Sequence, residues 1–386
     1  MDAKKILIVI PDGDTGGVTS SSVNFCNTIS KNGYEVHTLV MNGKTLPLKS
    51  AAIKHHLHGI SQFWKLGIDD VSNAPFYLKP FLLLLAVVKK YTIRKHTWYP
   101  KVFKGTEIND EFDAVIAYRQ NEPCYYFALN CVNAKKKIAM IHSDYDNRCD
   151  YSPWDYLLKE FDSIACVSKA CASHFKNHYP EIRHKFSTIY NMFDIDTIKL
   201  KSQEPCEYVV DNNFVNIISI ARQENGDKQM QRVPQVCKIL KERGVDNIHW
   251  YLAGDGPDME GNIALSKELG VSEMLTFCGN LSNPFSLLKQ CDFLVLTSRI
   301  ESFGMVLKEA HALGKPVVAM MYPSLPEIVT DSVNGVIAEQ TIDSLADKIQ
   351  ELLNENNAIL NLLKDNLSRQ VVSNDVAFDQ FESLLD

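Results

Sequence analysis

The sequence predicts two doubly wound α/β domains, each a mostly parallel sheet with helices on both faces. Three observations predict it. At 386 residues the chain exceeds one ordinary core, and two domains of roughly 150 to 200 residues are expected. Short apolar runs recur along it, each followed by a loop and a helical pattern, as buried parallel strands require. The stretch 292–320, DFLVLTSRIESFGMVLKEAHALGKPVVAM, shows one whole unit. Its strands 293–296 and 316–320 flank a helix opened by Gly304, with Val306, Leu307, Ala310 and Leu313 on one face and Gly314 at the C-cap.

Composition narrows the class. Hydrophobic content of 45% and charged content of 23% are those of a globular chain, so disorder is not expected. The net charge of −7 divides unevenly. Residues 1–200 carry 25 Lys or Arg against 20 Asp or Glu, while 201–386 carry 15 against 27, giving +5 and −12. The acidic half argues against nucleic acid, and the basic half suits an anionic surface such as a membrane. Ten scattered cysteines without a CxxC pair fit reduced thiols better than disulfides or a zinc site. The apolar run 6–10 is too short for a signal-peptide core, and the longest run, 81–88, has eight residues against the roughly 20 of a spanning helix. The expected location is cytoplasmic.

In the first half, strand 6–10 runs into DGDTGGV, then a helix over 19–32, Gly33 and strand 35–40. This βαβ unit carries a glycine-rich turn at the carboxyl end of its first strand, where open α/β sheets hold ligands. The turn is neither a P-loop nor GxGxxG, and a plain tight turn is the competing reading. His55, His56 and His58 lie in a weakly periodic stretch, where surface histidines without other ligands are the expectation. Residues 76–104 hold seven Lys or Arg, no acidic residue, a leucine run, Trp98 and Tyr99. A membrane-interface segment and a core helix with a solvated basic end both fit. Strands 112–118 and 137–141 follow, the second delivering His142, which would hydrogen-bond a substrate group or simply shape a loop. Strand 163–167 ends at Ser168 before a helix over 169–175, and strand 186–190 leads to Asn191. The polar stretch 199–213 is the candidate linker.

In the second half, strand 214–221 ends at Arg222, with Lys228 six residues on. A fork and a point charge at a strand end suit a diphosphate, whereas a solvated loop is the alternative. Helix 231–243, strand 249–253, helix 260–269, strand 275–278 and helix 285–290 bring the pattern back to 292–320. Helix and strand then alternate once more through 334–337, and amphipathic helices run from 341 to 385. Two Rossmann-like halves are expected to face a central cleft. Around Phe303, Gly304 and Met305 the free amides of a helix N-terminus favour phosphate, and Glu301 and Glu309 bracket them. Such a site suits a nucleotide-sugar.

Taken in order, Arg222 with Lys228, AGDGP at 253–257, CGN at 278–280, ESFGMVLKEAHALGKPVVA with its Glu-x7-Glu pair, and PEIVTDSVNGVIA at 326–338 strongly resemble the retaining glycosyltransferases of family four, which have the GT-B fold. The match covers nearly all of 214–340. In the first half it is thinner, resting on Gly16-Gly17-Val18, His142, Ser168 and Asn191. The resemblance implies domains at 1–205 and 206–369, the first for the acceptor and the second for the donor, with a terminal helix over 370–386 packing back on the first. It implies transfer from a nucleotide-diphosphate sugar, a UDP-sugar favoured, to a lipid-linked or oligosaccharide acceptor in cell-surface polysaccharide synthesis. Arg222 and Lys228 would neutralise the diphosphate, and the amides at Phe303, Gly304 and Met305 would bind its oxygens. Glu309 would hold the ribose, Glu301 would lie by the donor sugar, and His142 would reach a sugar hydroxyl. Gly16, Gly17 and Gly254 would line the donor, while Asn191 and Glu327 would belong to the acceptor side or its surroundings. No cofactor and no metal are implied, in keeping with the missing Asp-x-Asp motif, and the membrane's cytoplasmic face would be met through 76–104. An epimerase or phosphorylase-like enzyme of this fold, or a non-catalytic partner subunit, are the alternatives. Two departures stand out. Gln229 follows Lys228 where members commonly have glycine, and Ser324-Leu325 replaces a glycine pair.

Overall fold

The computed structural model describes residues 3–12, 17–42, 44–49, 52–57, 79–80, 83, 99–143, 155–354 and 357–386. Within these the chain forms two compact units, 1–193 with 374–386, and 194–373.

In the first unit seven parallel strands lie in the order β3-β2-β1-β4-β5-β6-β7. They are β1 Lys5–Ile10, β2 Glu35–Val40, β3 Ile53–His55, β4 Ile108–Ala117, β5 Val132–Ile141, β6 Ser163–Cys166 and β7 Phe186–Thr188. All but the first residue of β1 is buried, because this strand is covered on both faces. Leu7 and Val9 pack with Phe112 and Val115 on one face, whereas Ile6, Ile8 and Ile10 pack with Phe25 and Ala114 on the other. The helix Asp375–Leu385 returns to that second face. Phe381 sits edge-on to Phe25 and Tyr34, with ring centroids 5.3 Å apart in each pair. Asn374 fixes the return by accepting from the Phe193 amide (2.9 Å) and donating to its carbonyl (2.8 Å).

The second unit has six parallel strands in the order β10-β9-β8-β11-β12-β13. They are β8 Val215–Ile220, β9 Ile248–Ala253, β10 Leu275–Gly279, β11 Phe293–Leu296, β12 Val317–Met320 and β13 Gly335–Ala338. Trp250, Phe293, Val295, Val318 and Leu345 are among its buried core. In each sheet the chain winds outward from a central strand and then jumps from the edge strand, β3 or β10, to the other side of that central strand, so β4 lies beside β1 and β11 beside β8. The loops leaving the carboxyl ends of these pairs therefore diverge and leave a crevice.

The polar stretch 199–213 is not the divide. The chain passes between units at Phe193 and Asp194 and returns at Ser373 and Asn374. The helix Ile195–Lys201, with Asp194 capping it by accepting from the Thr197 amide (3.0 Å), belongs to the second unit. Asn283 fastens the helix end by donating to the Lys201 carbonyl and the Glu204 carboxylate, both at 2.8 Å. A short polar helix anchored by caps leaves little apolar pattern to read. Most of 76–104 and His58 lie outside the described residues. At the segment's end Tyr99, Val102 and Phe103 are buried in the first unit's core. No described helix is long and apolar enough to cross a membrane.

Candidate functional site

At the switch point of the second unit, the loops after β8 and β11 are laced together. Glu224 curls the first loop by accepting from the amides of Gly226 (2.6 Å) and Asp227 (3.1 Å). Thr297 Oγ1 then donates to the Lys228 carbonyl (2.8 Å), and the Arg299 amide donates to the Asp227 carbonyl (2.7 Å). The result brings Lys228 Nζ to 2.5 Å from Glu301 Oε1, which also accepts from Ser298 Oγ at 2.7 Å. Two residues 73 apart in sequence thus form a half-buried ion pair. Arg222 stands exposed beside this loop without a hydrogen bond or ion pair among the described residues.

Gln229 explains the first departure. Its φ of 54° lies in the left-handed region, where glycine costs nothing and glutamine does. The side chain offsets that cost by donating to the carbonyls of Asn225 (2.8 Å) and Gly226 (2.6 Å). The second departure is filled similarly. Ser324, fully buried, donates to the Glu301 carbonyl at 3.0 Å and fixes the carboxylate's loop from beneath.

Gly304 is the N-cap of the helix Met305–Ala312, with φ of 82° and no side-chain cap. The Leu307 amide donates to the Gly304 carbonyl at 3.0 Å, which leaves those of Met305 and Val306 at the helix N-terminus, an arrangement that favours an anion. A Cβ at Gly304 would lie 2.3 Å from Tyr322 Oη. That hydroxyl is buried and has no partner among the described residues. Tyr322, just past β12, was invisible to motif reasoning; its only sequence signal is its place after a buried strand. Glu309 is one turn into the same helix. Its carboxyl makes no hydrogen bond or ion pair among the described residues, and burial pushes its pKa up to about 7. Phe303 is buried and Glu327 half-buried, the latter in the turn Leu325–Glu327.

Gly254 has a packing role that the sequence did not reveal. A Cβ there would lie 1.9 Å from the Ala221 carbonyl oxygen, and one at Gly256 would lie 2.3 Å from that of Gln223. These glycines let the loops after β8 and β9 touch backbone to backbone. Arg232, not singled out from the sequence, donates to the Thr297 carbonyl (3.1 Å) and Gln340 Oε1 (2.8 Å) and so braces the end of β11.

At the switch point of the first unit Arg119 pairs with Asp12 at 2.8 Å across the loops after β4 and β1, and the buried polar groups are neutral. Gly17 begins the helix Gly17–Lys31, and Gly16 lies outside the described residues. Ser21 Oγ donates to Asn191 Oδ1 (2.6 Å) and lies 2.9 Å from Tyr118 Oη. Asn191 thus serves this network. The Tyr118 ring lies 4.6 Å from that of His142. His142 is buried, and its Nε2 has no partner among the described residues. Its other ring nitrogen bonds the Tyr118 backbone, and burial, helped by Arg119, holds the ring pKa down at about 3. A neutral imidazole donating from Nδ1 keeps an unshared lone pair on Nε2. Ser168 caps the helix Lys169–His178 by accepting from the Cys171 amide at 3.1 Å.

Residues 207–369, which hold this whole second-unit site, match the family Glycosyl transferases group 1. That match covers most of the second unit and none of the first. N-acetyl-alpha-D-glucosaminyl L-malate synthase of Bacillus anthracis is 30% identical over 172 residues, 44% of either chain. The chain spans about half the length of the curated relatives it matches. Among solved structures, a TarM mutant of S. aureus in complex with fondaparinux, alpha-GlcNAc-glycerol and UDP aligns with a TM-score of 0.71 at 14% identity, over 99% of this chain and 100% of that one. HepE of Anabaena in complex with UDP-glucose aligns at 0.64 and 16%, over 98% and 99%. The fold is GT-B.

Proposed function

We propose that this chain transfers a sugar, with retention of configuration, from a nucleotide-diphosphate sugar to a glycan acceptor. A UDP-sugar is the favoured donor and a lipid-linked acceptor of cell-surface polysaccharide the favoured acceptor. The observation that carries the reading is the Lys228–Glu301 pair at 2.5 Å beside the uncapped helix at Gly304, with Arg222 left over. Two cations and a pair of helix N-terminal amides exceed what one carboxylate needs, and their surplus suits a diphosphate. In this reading the incoming diphosphate takes Lys228, and Glu301 turns to a hydroxyl of the donor sugar. As the glycosidic bond breaks, charge grows on the leaving diphosphate, and Lys228, Arg222 and the amides of Met305 and its neighbours stabilise it. The departing phosphate accepts the acceptor proton on the same face, so no carboxylate need act as covalent nucleophile.

Glu309 would bind the ribose hydroxyls as a carboxylate, which couples nucleotide binding to its ionisation. His142 Nε2, a lone pair with no donor among the described residues, suits a sugar hydroxyl. Relatives of the fold solved with UDP and UDP-glucose support the choice of base. The test is a panel of nucleotide-sugars, following nucleotide release and the anomeric configuration of product with soluble and lipid-linked acceptors. Release from a UDP-sugar with an α-linked product from an α-donor is expected. Absence of any nucleotide binding overturns the reading. Membrane association through 76–104 is tested apart: replacing Lys89, Lys90, Arg94 and Lys95 by glutamine should weaken binding to anionic vesicles and leave donor hydrolysis unchanged.

A further inference from the structure

We infer that the first unit carries a divalent transition-metal site of the zinc class formed by His37, His55 and Asp110. One ligand atom from each residue lies within 4.8 Å of the others. The placement follows from strand register. β2 and β3 run parallel with His37 opposite Ile53 and Leu39 opposite His55, so the two imidazoles share one face of the sheet. Asp110 stands near the start of β4. His37 Nδ1 and His55 Nε2 are 2.8 Å apart, and both rings pack against Phe112, with centroids at 5.0 and 6.1 Å.

The orientation of His37 favours metal over a simple imidazole pair. Its Nε2 lies 2.8 Å from Glu35 Oε1, and a carboxylate there takes the ring N–H. That hydrogen bond leaves the Nδ1 lone pair facing His55 and Asp110. Carboxylate behind imidazole is how metal-binding histidines have tautomer and direction fixed. Metal–nitrogen bonds of about 2.0–2.1 Å in a tetrahedron hold ligand nitrogens about 3.3 Å apart, so the pair needs to open by about half an ångström. Asp110 is exposed at the site's edge, where its carboxylate has room to close on an ion, and water would complete the shell. Two imidazoles and one carboxylate select zinc, cobalt or nickel over calcium or magnesium.

His37 and Asp110 sit in the amino-terminal halves of β2 and β4, and His55 ends the short edge strand β3, away from the glycine turn that follows β1. The ion would therefore clamp the sheet's edge rather than act on substrate. β3 is an edge strand of three residues, and a metal shared by β2, β3 and β4 would hold it in place.

The test uses the full-length protein stripped with a chelator and titrated with Co²⁺, followed by its visible d–d absorption and by thermal melting. One tightly bound equivalent, displaced by Zn²⁺ and raising Tm, is expected. His55→Ala and Asp110→Asn should abolish the tight phase, and Glu35→Gln should weaken it about 10- to 100-fold without removing a ligand. His56→Ala should leave it intact. Circular dichroism of the exposed Asp110→Asn variant separates lost ligation from lost folding. No stoichiometric binding, or binding that survives both ligand variants with the fold intact, overturns the site.

Discussion

The two switch points solve the same topological problem with different chemistry, although each holds one cation–carboxylate pair. After β8 and β11 the chain carries paired and unpaired charge: Lys228 on Glu301, and Arg222 and the half-buried Glu309 without a counter-ion among the described residues. After β1, β4 and β5 the charge is paired off, Arg119 on Asp12 at 2.8 Å, and the buried groups are hydroxyl, amide and neutral imidazole, Ser21 with Tyr118 and Asn191, and His142 beside them. The unpaired charge of the second suits the phosphate end of a donor, and the buried uncharged groups of the first suit sugar hydroxyls. The contrast runs against net charge, since the half with the phosphate-ready cations is the acidic one. Local geometry, not the sum over a domain, decides what an anion meets at contact range.

The largest test of that contrast is Lys228→Ala. Losing a cation from a developing diphosphate charge should cost about 2–4 kcal/mol of transition-state stabilisation, about 30- to 1,000-fold in kcat/KM, read from donor turnover. Unchanged turnover removes Lys228 from the site.

Next is the helix at Gly304. Gly304→Ala forces a Cβ into Tyr322 Oη at a φ of 82°, and about 1–3 kcal/mol of stability should be lost in denaturant unfolding. Tyr322→Phe removes the obstructing hydroxyl and should restore part of that loss. Tyr322→Phe alone should stabilise the free protein, because it deletes a buried hydroxyl without a described partner. A loss of donor affinity in that single variant would add Tyr322 to the binding groups.

Glu309 sharpens the comparison through pH. Its folded pKa of about 7 exceeds the ordinary carboxylate value, so the folded state binds the proton more tightly than the unfolded chain. Stability from this group is full below the unfolded pKa near 4.3 and is lost as pH rises through 7. Nucleotide binding, needing the carboxylate, should strengthen across the same range. Glu309→Gln should flatten both profiles and raise Tm more at pH 8 than at pH 5, measured by calorimetry and nucleotide titration. A wild-type affinity independent of pH between 6 and 8 breaks the assignment. The smallest effect is expected at Gln229→Gly, which relieves a positive φ and deletes two hydrogen bonds to carbonyls. Stability and turnover should change little, by about 1 kcal/mol or less.

Much of this was legible residue by residue. The buried runs at 6–10 and 293–296 announced central strands because a strand covered on both faces is apolar along its length. Less legible were β3, only three residues long, and the helix Glu122–Asn130. Its cap at Asn121 and Pro123 were readable signals that its aromatic residues obscured. The domain crossing at Phe193 was misplaced because polar composition, not docking of the helix Ile195–Lys201, guided the reading.

Among the site residues, sequence alone determined that Arg222, Lys228, Glu301 and His142 follow strand ends and that Glu309 lies on the helix beyond Glu301. Residue type and distance from a buried run are local properties, and a strand's carboxyl end is a fixed place in this architecture. Tertiary structure decided what those groups do to one another. It paired Lys228 with Glu301, left Arg222 and Glu309 without partners among the described residues, gave Gly254 to loop packing, and set Tyr322 over Gly304. It also joined His37 and His55, which the sequence kept apart. Each outcome depends on contacts across the sheet or on the exclusion of water, and neither is written in the spacing of a single chain segment.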